Sequence, residues 1–152
     1  MAGAQVTLEL DSLQPLLSRI NALGQPRRQG EALANIGGLV ESQTRARFDE
    51  RVSPEGDAWA AWSEGYAATR KKGQTLLVAS GAFRDSIAWD LTGDALRVGS
   101  NMVFAALHQE GGTDDMDPGA AAVPARPYLG LSDENVTEIE DALGDWIEGL
   151  LQ

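Results

Sequence analysis

The sequence predicts a single domain, residues 1–152, of mixed α and β structure. The 152 residues, 43% of them hydrophobic, are enough for one domain with a core and too few for two. Apolar and polar residues alternate on both sides of Gly93-Asp94, which predicts a β-hairpin. Apolar residues at helical spacing predict a long helix in the N-terminal half and an amphipathic helix after Ser132.

The first third of the chain carries the signals of one strand and two helices. Alternation from Val6 to Leu10 predicts a short, half-buried strand. Asp11 or Ser12 is suited to cap the helix that follows. Pro26 suits the first turn of a second helix, which we expect to continue to about Arg51.

The middle of the chain alternates loops with short helical elements. A turn-rich connection after Arg51 carries Trp59 and Trp62, and indoles in a loop usually fold back onto a core or meet a partner. Ser63 is suited to cap a short helix, and we expect one helical turn after Gly81.

The hairpin has both a strand pattern and a turn signal. Its strands are the alternating runs from Ile87 to Leu91 and from Leu96 to Val98. Gly93-Asp94 fits a type II′ turn between them, because glycine accepts the positive φ of the first turn position. We expect a short buried helix from Met102 to Gln109, ended by Gly111-Gly112.

The segment at about 111–122 is predicted to be a mobile loop, because it cannot bury enough apolar surface to offset the entropy of ordering it. Its acidic centre comprises Thr113, Asp114, Asp115, Met116 and Asp117. The prolines that follow favour an extended segment from Val123 to Leu131. Ser132 or Asp133 is suited to cap the final helix, whose apolar stripe suits a core or a neighbouring helix.

The charge is strongly acidic and unevenly distributed. The net charge of -11 argues against binding of nucleic acid by the whole surface. Through Arg51 the chain has six acidic and six basic residues, whereas the remainder has seventeen and six. From Ser132 onward there are seven acids and no base, which indicates either a solvated helix face or a surface selected to be anionic.

Motif searches argue against catalysis, and we expect no enzymatic activity, no metal and no cofactor. The chain has no cysteine, which excludes disulfides and thiolate zinc sites. The single histidine, His108, stands near Glu110 and the acidic loop, but their spacing matches no zinc or calcium motif. The plain alternative for His108 is a hydrogen bond to the backbone or to a partner chain. No targeting segment and no apolar run of the roughly 20 residues that span a bilayer is evident.

Five motifs follow one another in a fixed order along the chain. Their residues are Pro54, Gly56 and Trp59; Lys71 or Lys72; Ser80, Gly81, Ser86 and Ile87; Ala105, His108, Gln109, Gly111 and Gly112; and Pro124 to Gly130. This order resembles the phage virion morphogenesis family, the tail-completion or neck proteins of Mu-like and related tailed phages. The match runs from about Ile36 onward, and Phe104 stands where the family has tyrosine.

The resemblance implies an α+β fold, with a small, mainly antiparallel sheet flanked by helices. It also implies a structural virion protein rather than an enzyme: a homo-oligomeric ring, which we expect to be hexameric, at the head–tail junction or tail end. The neighbours implied are a head–tail connector, a portal-side adaptor, or tail terminator or tube proteins. DNA would pass through the ring without sequence-specific binding, and assembly would take place in the host cytoplasm without a membrane partner.

The subunits of a ring meet through heterologous interfaces, in which aromatic and arginine side chains are enriched. We therefore expect subunit or partner contacts at Trp59, Trp62, His108, Gln109, Arg126 and Tyr128, with Arg126 exposed. The alternative is that both tryptophans and Tyr128 belong to the chain's own core. The loop Thr113–Asp117 would become ordered on docking to a neighbouring ring.

The acidic residues of the final helix are expected to face the channel, where repulsion would let DNA slide without sticking. They are Asp133, Glu134, Glu138, Asp141, Asp145 and Glu148. A second class of function fits the same charge. A small acidic adaptor or inhibitor that binds a basic partner would also be soluble and anionic, and it would act as a monomer or dimer.

Overall fold

A computed structural model describes residues 3–7, 14–22, 27–92 and 95–150. These ranges contain three strands, β1 (Ala4–Thr7), β2 (Ala88–Thr92) and β3 (Ala95–Ser100). They also contain helices α1 (Gln14–Ala22), α2 (Arg27–Glu50), α3 (Glu64–Ala67), α4 (Ala82–Asp85), α5 (Ala105–Glu110), α6 (Pro118–Ala121) and α7 (Asp133–Leu150). No helix in the described ranges is both long and apolar enough to cross a membrane.

The three strands form a small antiparallel sheet with β3 in the centre. Val98 of β3 is opposite Val6 of β1 on one side and Trp89 of β2 on the other. The side chains of β3 alternate between buried and half-buried, so one face of the strand faces the core. The structure thus confirms the predicted α+β class, the antiparallel sheet and the strands of the hairpin.

Several local predictions fall on residues that the structure does not describe. The hairpin turn at Gly93-Asp94, the cap at Asp11 or Ser12, and Pro26 all lie outside the described residues. The same holds for residues 8–10 of the first predicted strand, whose described part is Ala4–Thr7.

Helix α2 is the central element of the fold. It contacts β2 and β3 of the sheet and also α1 and α7. At Gly37 the indole of Trp89 lies directly against the helix backbone, where an added Cβ would come within 2.5 Å of the ring. Glycine is required at that position because the contact leaves no room for a side chain.

An aromatic cluster closes the C-terminal end of α2. The ring of Phe48 lies 5.6 Å from Trp59, 5.2 Å from Phe83 and 5.5 Å from Tyr128, measured between centroids. All four rings are buried. Because buried aromatic side chains dominate core energetics, this cluster anchors the loop after α2, helix α4 and the segment before α7 to one another.

Arg47 connects α2 to the start of α7. Its guanidinium donates hydrogen bonds to the Tyr128 carbonyl and to Asn135 Oδ1, both over 2.7 Å. Ser132 caps α7, because Asn135 N–H donates to Ser132 Oγ and Asn135 Oδ1 accepts from Ser132 N–H. Burial lowers the pKa of Arg47, whose hydrogen-bond partners are neutral oxygens rather than a carboxylate.

The segment predicted to be a mobile loop contains the one-turn helix α6, which was not predicted. The two ends of the segment are joined by a hydrogen bond from Gly112 N–H to the Val123 carbonyl, over 2.8 Å. Residues 113–119 are exposed. The mobility of this segment stays a prediction.

Candidate functional site

A groove of about 680 Å³ lies among α3, α4, α5, α6 and the segments that connect them. Three of the five motifs contribute to its walls, through Ser80 and Gly81, Phe104 and His108, and Pro124 and Arg126. Further apolar surface comes from Trp62, Tyr66, Leu77, Val78 and Phe83. Among the residues that the structure describes, no aspartate or glutamate lines the groove, although the full chain has 23 of them.

The extended segment before α7 forms one side of the site and is tied to the tryptophan loop. Trp59 Nε1 donates a hydrogen bond to the Pro127 carbonyl over 2.8 Å. Arg126 donates from Nε to the Ala60 carbonyl over 2.8 Å and from Nη2 to the Ala61 carbonyl over 3.1 Å. Two motifs separated by more than sixty residues are therefore fastened to each other inside one chain.

The same segment is tied to α5 by Gln109. Its Oε1 accepts hydrogen bonds from the backbone N–H groups of Tyr128, over 3.0 Å, and Leu129, over 2.9 Å. Its Nε2 donates to the Leu129 carbonyl over 3.2 Å. The Tyr128 hydroxyl donates to the Ala105 carbonyl over 2.8 Å, and burial raises the pKa of that hydroxyl. These hydrogen bonds hold the extended segment against α5.

Several residues predicted to contact other subunits are thus engaged within the chain. Trp59 and Tyr128 are buried, as the intramolecular alternative expected, whereas Trp62 is only half-buried. The expectation that Arg126 is exposed is wrong, because only 7% of its surface is accessible. Burial lowers the pKa of Arg126. A role in subunit contacts for any of these residues stays a prediction.

Three side chains that contact one another in turn, Trp62, Tyr66 and Arg70, line the exposed side of the groove, here called its mouth, with the two rings edge to face. The rings of Trp62 and Tyr66 lie 6.1 Å apart, and the Arg70 guanidinium lies 4.0 Å from the centre of the Tyr66 ring. This arrangement is a cation–π contact on an exposed surface, since 49% of Tyr66 is accessible. Sequence reasoning missed Tyr66 and Arg70. The four-residue spacing of the three side chains was the available signal.

His108 lies in the wall of the groove between two phenylalanines. The centre of its ring is 5.7 Å from those of both Phe83 and Phe104. Its Nδ1 is buried without a hydrogen-bond partner among the described residues. Burial lowers the pKa of His108, and the charge of Arg126 lowers it further. The imidazole is therefore neutral near pH 7.

The described residues contain no group of three or more histidine, cysteine, aspartate or glutamate side chains that could hold a metal ion. The acidic loop does not join His108, since its residues Thr113, Asp114, Asp115, Met116 and Asp117 do not line the groove. Gly111 packs closely on the extended segment, where an added Cβ would lie 2.8 Å from Ala125 N. The glycine pair therefore serves packing.

The acidic face of α7 is a second distinct surface. All six predicted acids, Asp133, Glu134, Glu138, Asp141, Asp145 and Glu148, are exposed. The opposite side of the helix is buried through Ile139, Leu143 and Ile147. Because the helix is held by this apolar stripe, its carboxylates form a fixed anionic surface, and none of them lines the groove.

Comparison with known proteins gives a consistent result along the chain. The sequence profile of the phage virion morphogenesis family matches residues 8–148. The putative capsid assembly protein G of Escherichia phage Mu is 32% identical over 152 residues, covering 97% of this chain and 96% of that protein. The Mu-like prophage FluMu G protein 2 of Haemophilus influenzae is 25% identical over 148 residues, covering 97% and 99%. No solved structure matches.

Proposed function

This chain belongs to the phage virion morphogenesis family, and we propose that it is a tail-completion or neck component that forms a ring at the head–tail junction. A structural or assembly role in a phage follows from the family. We further propose that the chain forms a homo-hexameric ring and that DNA passes through this ring. The relative from phage Mu is named for capsid assembly, and a junction ring would contact the capsid directly.

The acidic face of α7 carries this proposal. Six exposed carboxylates lie on one helix whose opposite face is buried in the core. In a channel only a few nanometres wide, fixed negative charges act on DNA over the roughly 8–10 Å that salt allows. Such a wall repels the phosphates, so that DNA slides without adhering. We therefore place α7 at the channel.

The first test is the mass of the purified chain across a range of concentrations, by light scattering after size-exclusion chromatography, with imaging of any large species. We expect a closed ring of about six subunits, or assembly to that size when purified tails or portals are added. A map of the ring in the virion then locates α7. A position of α7 on the outer rim would refute the proposed channel.

Charge reversal separates channel function from assembly. In a variant with Asp141, Asp145 and Glu148 changed to lysine, a ring should still form, because these side chains are exposed. Glu138 is left unchanged, since it accepts a hydrogen bond from Gln43 Nε2 over 2.8 Å. DNA passage should slow, since a basic wall binds phosphate. The matched control changes the same three residues to asparagine or glutamine, which removes the repulsion without adding attraction. Equal DNA ejection by both variants would contradict the proposal.

The acidic face also suits the second candidate, a small adaptor or inhibitor that binds a basic partner. That function requires a monomer or dimer whose α7 is covered by the partner. The same light-scattering measurement, followed by binding to assembled tails, separates the two. For either candidate we propose no catalytic step, no cofactor and no metal, in keeping with the structural role of the family.

A further inference from the structure

We propose that the groove among α3, α4, α5 and α6 docks a peptide segment of a neighbouring virion protein, in which an apolar side chain is flanked by carboxylates. The inference deepens the proposed function and rests on it only for the source of the segment. It concerns a surface that shares no residue with the acidic face of α7.

The groove has the size and surface of a recognition site. Its volume of about 680 Å³ lies within the roughly 300–1,000 Å³ typical of binding pockets. Tyr66, 49% accessible, lines the groove together with the half-buried Trp62, Leu77 and Val78. Contiguous exposed apolar surface of this kind marks interaction sites in soluble proteins. An apolar anchor on the partner would be buried here.

The charge of the groove is opposite to that of the molecule. Elsewhere in the described chain Arg28, Arg45, Arg84 and Arg97 each pair with a carboxylate, whereas the buried Arg47 bonds to neutral oxygens. The two arginines of the groove, Arg70 and Arg126, have no carboxylate within 4.0 Å among the described residues. The half-buried Arg70 is the guanidinium that an incoming anion can contact, while Arg126, with 7% of its surface accessible, adds positive charge to the wall.

The geometry places those two charges around the apolar surface. Arg126 donates hydrogen bonds from Nε and Nη2 to backbone carbonyls, and its guanidinium remains positively charged in the wall of the groove. Arg70 lies over the ring of Tyr66 at the mouth. A carboxylate that reaches the Arg70 guanidinium makes a charge-assisted hydrogen bond, roughly twice as strong as a neutral one. The buried charge of Arg126 attracts a second carboxylate without direct contact. In a segment with acids on both sides of an apolar residue, one acid lies near Arg70 at the mouth and the other lies near Arg126 in the wall.

A nucleic-acid strand fits the groove less well. Stacking on Trp62 and Tyr66 would suit single-stranded DNA, but such grooves track the backbone with a row of cations. Here two arginines stand in a molecule of net charge -11, which repels a polyanion over its remaining surface. A peptide with two or three carboxylates avoids that cost.

The experiment uses the full chain and labelled fifteen-residue peptides that tile the structural proteins of the same phage, this chain included. Fluorescence anisotropy measures binding, and a change in tryptophan emission that disappears in Trp62→Phe reports occupancy of the groove, since the chain has four tryptophans. We expect the bound peptides to carry an apolar residue between acids, and replacement of those acids by lysine to abolish binding. Arg70→Glu and Tyr66→Ala should weaken binding at least about tenfold, as loss of a central contact does.

The matched control is Arg19→Glu, an equal charge reversal on the exposed side of α1, which should bind as the wild type does. Circular dichroism and the thermal midpoint establish that each variant is folded. Three results would overturn the inference: no acidic–apolar peptide binds, only peptides from this chain bind, or a single-stranded oligonucleotide binds in the groove instead.

The outcomes for the groove and for the ring are separable. If peptides bind with the expected sequence dependence but the chain assembles no ring, the proposal of peptide docking is supported and the proposal of a neck ring is refuted. If the ring forms and Arg70→Glu still supports normal virion yield without any peptide binding, the groove fails and the ring stands.

Discussion

Gln109→Ala tests whether the motif glutamine acts within the chain or at a partner. In the folded protein this side chain makes three hydrogen bonds to the backbone of Tyr128 and Leu129. Alanine removes all three and leaves two N–H groups and one carbonyl without a protein partner. The bonds are partly buried, so the loss falls on the folded state rather than on an exposed surface.

The expected cost follows from those bonds. Each contributes about 0.5–1.5 kcal/mol net, so that three amount to roughly 1.5–4.5 kcal/mol. Water entering the partly buried site recovers some of this, and we expect a loss of about 2–3 kcal/mol in the free energy of unfolding. In a chain of this length the thermal midpoint should fall by about 4–12 °C.

Urea denaturation at fixed protein concentration, followed by circular dichroism, measures the change, with the thermal midpoint as a second reading. Gln74→Ala is the matched control, because its single side-chain bond, from Lys71 N–H, is exposed. It should change stability by less than about 0.5 kcal/mol. A loss for Gln109→Ala as small as the control's would refute this reasoning. If virion assembly then failed, Gln109 would be a partner contact, as the sequence analysis predicted.

Three further changes test separate parts of the structure. Gly37→Ala should destabilise the protein by about 1–3 kcal/mol relative to Gly38→Ala, because the new methyl group meets the Trp89 ring whereas the site at Gly38 is open. Thermal melts of the two variants measure the difference, and equal stabilities would disprove the contact. Tyr128→Phe should cost about 1 kcal/mol in urea denaturation without changing the circular dichroism spectrum, because one buried hydrogen bond to α5 is lost; an unchanged midpoint would contradict that bond. The pKa of His108 is lower in the folded chain than in the unfolded one, so unfolding takes up a proton as the pH falls through about 6.5. Stability due to His108 is therefore complete above that pH and is lost below it, and His108→Gln should flatten the curve of unfolding free energy between about pH 7 and 5.5; parallel curves would refute the shift.

Much of the fold could be predicted because its signals are local. The strands of the hairpin, the long helix α2 and the final helix α7 all follow from periodicity over a few turns or pleats. Ser132 at the start of α7 is recognisable because a capping side chain bonds within three residues of itself. Helix α6 was missed, because four residues in a glycine- and alanine-rich stretch present no periodic pattern.

The site was predicted less well, because its bonds are long-range. Arg126 resembles an exposed interface residue by type, and only the folded chain shows its guanidinium bound to carbonyls sixty-five and sixty-six residues earlier. Tyr66 and Arg70 carry no motif, and they become a groove mouth only when α3 packs beside the extended segment.

By itself, the sequence determined the positions of the main helices and the acidic face of α7, since composition and spacing along the chain encode them. The family, and with it the expected α+β class, followed from the resemblance of five ordered motifs. Only the tertiary structure decided what the motif residues do. In the folded chain Trp59, Gln109 and Tyr128 make hydrogen bonds within the chain. Beside them lies a groove lined by apolar side chains and two arginines. Side chains separated by tens of residues acquire partners through chain packing, and spacing in the sequence does not record which of their polar atoms will be satisfied there.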